Sequence, residues 1–137
     1  MSRESEELNR RLLRARDAMD RAYGQPLDVR AVAAVAHMSS AHFSRSFRAV
    51  FGETPHRYLQ RRRVERSMFL LREPGRSVTD VCFEVGFASL GTFSRTFREI
   101  VGQTPSEYRG GHGPVGVPNC ALMAHTRPRA AAVPAAA

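Results

Sequence analysis

An internal repeat constrains the fold of this 137-residue chain more than any other feature of its sequence. The segments AHFSRSFRAVFGETPHRYL at residues 41–59 and GTFSRTFREIVGQTPSEYR at residues 91–109 are identical at nine of nineteen positions. The identical pairs are Phe43/Phe93, Ser44/Ser94, Arg45/Arg95, Phe47/Phe97, Arg48/Arg98, Gly52/Gly102, Thr54/Thr104, Pro55/Pro105 and Tyr58/Tyr108. A repeat this specific indicates that one supersecondary unit is used twice.

Each copy is predicted to contain the longer helix of a pair joined by a tight turn. Before the first copy a short helix is predicted over 29–37, and the longer one that follows it covers about 40–51. Before the second copy the short helix begins at 78, and the longer one covers about 90–101, after a turn that is one residue longer. The predicted N-caps are Asp28, Ser39, Thr54, Ser77, Ser89 and Thr104.

Three further helices complete an all-α prediction of about seven helices, with two tandem helix-turn-helix subdomains joined by a long connecting helix. Helical spacing of apolar residues predicts a first helix over 4–23, which is expected to pack on the repeat unit. The connecting helix, from Pro55 to about Glu73, is predicted to be the longest, and a short helix ends near Arg109. The predicted organisation is a domain over 1–109, with a first lobe at 5–53, the connecting helix at 54–73 and a second lobe at 74–109, and then a flexible Gly/Pro/Ala-rich tail over 110–137 with a short ordered patch at 117–123.

Net charge limits the class of partner. The chain carries a formal charge of +8 and a pI near 11.1, which favours a polyanionic partner. All 21 basic residues are Arg. This composition suits bidentate recognition of phosphate and guanine, and it is also what an Arg-rich genome produces; both explanations can hold.

The longer helix of each copy has one apolar face and one basic face. Phe43 and Phe47 lie on the apolar stripe of the first, whereas Ala41, Ser44, Arg45 and Arg48 share the opposite face at helical spacing. This is the layout of a helix-turn-helix, whose second helix enters the DNA major groove. The alternative is a helical hairpin whose Arg residues only solubilise an outer face.

The predicted DNA contacts fall into two groups. Residues predicted to contact bases are Ala41, Ser44, Arg45, Gly91, Ser94 and Arg95. Residues predicted to contact phosphates are Ser40, His42, Arg48, Arg62, Arg63, Thr92 and Arg98. For His42, phosphate contact and simple exposure remain open.

The connecting helix predicts how the two copies would be used. A helix of about nineteen residues would be ~28 Å long at ~1.5 Å per residue, close to the ~34 Å repeat of a DNA turn. Tandem rather than two-fold related units predict an asymmetric site bound by a monomer.

The sequence resembles the DNA-binding domain of the AraC/XylS transcription regulators over roughly residues 8–109. The residues that carry the resemblance are Val81, Val85, Gly86, Phe87, Phe93, Ser94, Arg95, Phe97, Arg98, Gly102, Thr104, Pro105, Tyr108 and Arg109. The resemblance implies a seven-helix, two-lobed domain, specific promoter binding, activation and recruitment of RNA polymerase in a bacterial cytoplasm, at the nucleoid. Because only about 25 residues precede the first unit, the chain is most similar to stand-alone members such as MarA and SoxS. Ala41 and Gly91 are smaller than the side chains often found there in such members.

Other classes of function find little support in the sequence. There is no apolar run suited to a membrane span, no signal segment, no nucleophile–base pair, and no His or Cys spacing for a metal, so neither enzyme activity nor a cofactor is expected. Cys82 is expected in the core, whereas Cys120 is either an exposed thiol or a redox sensor. The main alternative is a helical adaptor that binds the transcription machinery without reading DNA.

Overall fold

The computed structural model describes residues 2–111, in which the regular secondary structure is all α-helix. Seven α-helices occur in it: α1 (Arg3–Arg21), α2 (Val29–Val35), α3 (Ser40–Phe51), α4 (Pro55–Leu70), α5 (Val78–Glu84), α6 (Leu90–Val101) and α7 (Pro105–Arg109). The all-α prediction is therefore confirmed. The predicted ordered patch at 117–123 and Cys120 lie outside the described residues.

The described residues form two compact units, residues 2–59 and residues 60–111. α4 begins in the first unit and continues into the second. The two lobes and separate connecting helix drawn from the sequence remain a prediction.

The six N-caps predicted from the sequence are all present, and each lies at the start of a helix. Ser39 Oγ accepts from the backbone N–H of His42 at 3.2 Å, and Ser89 Oγ accepts from that of Thr92 at 3.2 Å. Asp28, Thr54, Ser77 and Thr104 each accept from the N–H three residues on. These bonds satisfy N–H groups that have no partner inside a helix, so each cap defines a start.

Three predicted helix ends were wrong. α4 stops at Leu70 with 16 residues, and α1, with 19, is the longest helix within residues 2–111. At ~1.5 Å per residue, α4 is ~24 Å long. It ends early because the N–H groups of Arg72 and Glu73 bond to carbonyls three residues back, which tightens the chain before Pro74.

α1 and α2 also end two residues before their predicted limits. α1 gives way at Ala22, whose N–H bonds to the carbonyls of both Ala18 and Met19. α2 ends at Val35 because His37 has a left-handed backbone, with φ of 57°. The gap from α5 to α6 is one residue longer than the gap from α2 to α3, as predicted.

The repeated residues build the same aromatic cluster in each unit. In the first unit the rings of Phe43 and Phe47 lie 5.6 Å apart, and the Tyr58 ring meets Phe47 edge-on at 5.6 Å. The equivalent rings in the second unit are Phe93, Phe97 and Tyr108, at 5.7 Å for each successive pair. Edge-to-face pairs at this distance stabilise a core beyond their buried area.

Small and medium apolar residues complete each core. In the first unit, α1 supplies Leu12, Ala15 and Met19, which are buried against α2 and α3. In the second unit, Val81 and Cys82 of α5 are fully buried, which confirms the core position expected for Cys82. Burial raises the pKa of the Cys82 thiol, because the thiolate would lose its hydration.

Candidate nucleic-acid interface

The outer face of α3 carries most of the residues that the sequence assigned to DNA contact in the first unit. Phe43 and Phe47 anchor the inner face at 0% exposure, and this fixes which side of the helix meets solvent. Ala41, His42, Arg45 and Arg48 are exposed, and Ser40 and Ser44 are half-buried.

The outer face of α6 repeats this arrangement in the second unit. Gly91, Arg95 and Arg98 are exposed, while Thr92 and Ser94 are half-buried. A methyl group added at Gly91 would meet no atom within 4 Å, so this position is open to solvent. The Thr92 hydroxyl accepts from Ser89 Oγ at 2.9 Å and so belongs to the helix cap.

Four guanidinium groups on these faces are available to an external ligand. Within residues 2–111, the side chains of Arg45, Arg48, Arg95 and Arg98 make no hydrogen bond, ion pair or ring contact with another residue. Arg76, in contrast, pairs with the carboxylates of both Glu73 and Glu84. The bond to Glu84 is the main reason that the pKa of Arg76 is raised. An exposed Arg without a partner in its own chain keeps all five donors for phosphate or a base edge.

Comparison with known proteins identifies the kind of domain that carries these faces. The family described as a helix-turn-helix domain matches residues 32–111, more than half of the chain. The DNA-binding domain of the transcriptional factor AdpA, solved in complex with a target DNA, is 31% identical, with a TM-score of 0.68 over 74% of this chain and 91% of that one. A Chromobacterium violaceum regulator of the AraC-type DNA-binding domain-containing proteins is 27% identical, with a TM-score of 0.68 over 77% of this chain and 95% of that one. This chain belongs to the AraC-type DNA-binding domains.

A curated relative of this AraC-type domain is much longer than the matched segment. The HTH-type transcriptional regulator YdeC of Bacillus subtilis (strain 168), itself described as uncharacterized, is 31% identical over 67 residues. Those residues make up 49% of the present chain but 23% of YdeC. The AraC-type family is one of DNA-binding transcription regulators, and the resemblance stated from the sequence is confirmed.

One predicted phosphate contact of the AraC-type domain needs correction. Arg63 is only 8% exposed, and its guanidinium carbon lies 5.9 Å from the centre of the Phe87 ring. Burial lowers the pKa of Arg63. A guanidinium enclosed in this way does not present its donors to a phosphate, so we remove Arg63 from the interface.

Arg62, the neighbouring predicted phosphate contact, is half-buried and already paired. Its Nη1 lies 2.5 Å from Oε1 of Glu65, whose side chain is 6% exposed. Binding of Arg62 to phosphate would compete with this carboxylate. Phosphate contact by Arg62 stays a prediction.

Sequence reasoning missed Arg11, which holds the turn before α3. Arg11 donates from Nε to the carbonyl of Ala36 and from Nη2 to the carbonyl of His37, both at 2.7 Å. Its position next to Leu12, at the edge of the apolar stripe of the first helix, was the available sequence signal, because an Arg there can reach a neighbouring helix.

The described part of the chain contains neither a group of metal ligands nor a membrane-spanning helix. Among residues 2–111, no three His, Cys, Asp or Glu side chains are grouped as metal binding would require. None of the helices described has the length and apolar character needed to cross a bilayer.

Proposed function

We propose that this AraC-type domain regulates transcription by binding one asymmetric promoter site, with α3 and α6 in successive major grooves of double-stranded DNA. The observation that carries the proposal is the matched pair of exposed Arg residues on each of the two equivalent helices. A solubilising surface would not require the same residues at the same positions twice.

Position along each helix suggests separate roles for the two Arg pairs. Arg45 and Arg95 follow the N-caps by six residues, in the middle of the outer face of each twelve-residue helix. A bidentate bond from Arg to guanine O6 and N7 discriminates between bases by ~1–3 kcal/mol. Arg48 and Arg98 lie one turn further on, and we assign them to phosphates.

The small residues at 41 and 91 limit how many side chains can read bases directly in this proposal. Ala41 and Gly91 offer no polar group to a base, so direct reading rests mainly on Arg45 and Arg95. Sequence-dependent DNA shape supplies the remaining specificity in this proposal.

Activation and recruitment of RNA polymerase extend the proposal on the basis of the family resemblance. Binding as a monomer follows from the tandem repeat, since each chain brings two reading helices of its own. The expected location is the nucleoid, where the DNA is.

Exposed aromatic residues favour a second candidate, the helical adaptor. Phe69 is 63% exposed and Phe83 is 54% exposed, and neither lies on α3 or α6. An adaptor would use such residues to bind protein and would show no preference among DNA sequences.

Selection of bound sequences from a random DNA pool tests the proposed function directly. We expect one non-palindromic consensus with two half-sites about one helical turn apart. Arg45→Ala and Arg95→Ala should each relax specificity in a different half-site, by about 1–3 kcal/mol at the guanine that the Arg no longer contacts. Arg14→Ala, an exposed Arg on α1, is the matched control and should leave the consensus unchanged.

Two results would contradict this function. Equal binding to all sequences would favour the adaptor over a specific regulator. If both Arg variants lost base preference at the same position of the consensus, the tandem arrangement would be excluded, because in it α3 and α6 read different base pairs.

A further inference from the structure

The turn before α3 has the geometry of a turn built around glycine, but a histidine occupies the key position. In this turn the N–H of His37 bonds to the Ala34 carbonyl and the N–H of Met38 bonds to the Ala33 carbonyl, each at 3.0 Å. These two bonds define a Schellman helix end, in which the residue after the cap is left-handed. That residue is His37, with φ of 57°.

The turn before α6 is the same motif with glycine in place. The N–H of Gly86 bonds to the Phe83 carbonyl and the N–H of Phe87 bonds to the Cys82 carbonyl, each at 3.1 Å. Gly86 has a φ of 101° and no side chain to oppose it. His37 and Gly86 are thus equivalent, and the first unit adopts a backbone conformation that a side chain disfavours.

The guanidinium of Arg11 binds the two carbonyls at this strained point. It donates to the carbonyls of Ala36 and His37 at 2.7 Å in each case, from two nitrogens of one rigid fork. Carbonyls at a helix C-terminus lack intrahelical donors, so a cationic fork placed there stabilises the turn as it stands.

This turn sets the start of α3. Ser39, the N-cap of α3, follows His37 by two residues, and Arg45 lies six residues further along. A contact to a base edge tolerates errors of only about 0.5 Å, so the backbone that leads into the helix has to be held as firmly as the helix itself.

We propose that Arg11 is a positioning residue for DNA reading: its bonds to the Ala36 and His37 carbonyls stabilise the left-handed turn that fixes the orientation of α3. Arg11 touches no base in this role and acts through the turn. The DNA-binding part of this proposal rests on the proposed function, whereas the hold on the turn does not.

Half-site-resolved DNA binding tests the positioning role. The probes are the DNA selected from the random pool and two versions of it, with the α3 half or the α6 half scrambled. We expect Arg11→Ala to bind the intact site about tenfold more weakly, or roughly 1.4 kcal/mol. It should bind the site with the scrambled α3 half as well as the unsubstituted protein does. Arg14→Ala, with the same change of charge on the same helix, should bind all three probes normally.

A double variant separates positioning from a general loss of stability. Adding His37→Gly to Arg11→Ala removes the backbone strain that the Arg opposes, and most of the lost affinity should return. Equal weakening on all three probes, or no weakening on any, would overturn the proposal. If Arg11→Ala fails to fold by circular dichroism, Arg11→Lys replaces it; a loss confined to the α3 half supports the proposal and normal binding overturns it.

Amide hydrogen exchange without DNA tests the hold on the turn by itself. Arg11→Ala, or Arg11→Lys in its place, should speed exchange of the Met38 amide and leave its equivalent, Phe87, unchanged. Unchanged exchange at Met38 would overturn the proposal even in a protein that binds DNA. Faster exchange at Met38 in a protein without sequence preference would leave the hold intact and would reject the proposed function instead.

Discussion

At the scale of single residues, the backbone angle and the partners of a side chain decide what it can do. Gly91 and Gly102 belong to the same helical segment, and an added methyl group would meet nothing within 4 Å at either. They differ in backbone conformation, since Gly102 ends α6 with φ of 92° and Gly91 lies inside the helix. The two sites therefore separate the effect of conformation from that of packing.

Substitution by alanine should change stability in opposite directions at these two glycines. Gly102→Ala should lower the free energy of unfolding by ~1–2 kcal/mol, because an L-residue is strained in the left-handed region. Gly91→Ala should raise it by up to ~1 kcal/mol, because alanine favours the helix and fits the open site. Urea unfolding measures both, and a loss of similar size at both sites would point to hidden crowding instead.

At the scale of elements, α1 completes the core of the first unit. Beyond its buried Leu12, Ala15 and Met19, the Arg16 guanidinium lies 4.9 Å from the Phe51 ring centre. The Tyr58 hydroxyl donates to Asp20 Oδ1 at 2.8 Å. The helix is thus tied to α3 and to the start of α4 by both apolar and polar contacts.

Truncation of the α1 core should destabilise the first unit strongly. Leu12 is 0% exposed, so Leu12→Ala should lower the free energy of unfolding by ~2–5 kcal/mol through lost burial and the cavity left behind. Leu13→Ala, at a half-buried neighbouring position, is the control and should cost clearly less. Equal losses in urea unfolding would mean that α1 contributes by helix formation rather than by packing.

At the scale of the whole molecule, the net charge of +8 governs the encounter with DNA. Only Arg residues without carboxylate partners should add to this effect, because a paired guanidinium is already neutralised. Each phosphate neutralised releases bound counterions, so the affinity falls as salt rises.

Salt dependence should reveal which Arg residues meet phosphates. Arg48→Ala and Arg98→Ala should each reduce the slope of log affinity against log salt concentration by about 1. Arg76→Ala should leave the slope unchanged, since Glu73 and Glu84 already pair with it. Fluorescence anisotropy over a salt series measures the slopes, and an unchanged slope for Arg48→Ala would remove that residue from the phosphate set.

Local signals in the sequence were enough to predict the architecture. The bounds of α3 and α6 were predicted correctly because each twelve-residue helix carries an apolar stripe and is flanked directly by a serine cap and a glycine stop. The same stripe predicted which face is buried, and hence that Arg45 and Arg95 are exposed. The resemblance to the family rested on residues from Val81 to Arg109, a stretch short enough to be compared directly with a known sequence pattern.

Features that depend on distant neighbours were beyond sequence reasoning. Arg62 and Arg63 are adjacent and were assigned the same role, yet Arg63 is buried against Phe87, 24 residues further along the chain. His37 gave no sign of a left-handed backbone, and Arg11, which binds its carbonyl, is 26 residues away.

The division between sequence and tertiary structure in this protein follows the range of the interactions. The sequence by itself determined the helices, their caps, the repeated aromatic core and the exposed Arg faces, because each depends on residues within a few turns of one another. Only the tertiary structure decided which arginines remain exposed without a partner and which are enclosed or hold a turn. A long, flexible, charged side chain reaches whatever the fold brings near it, so packing alone determines its role.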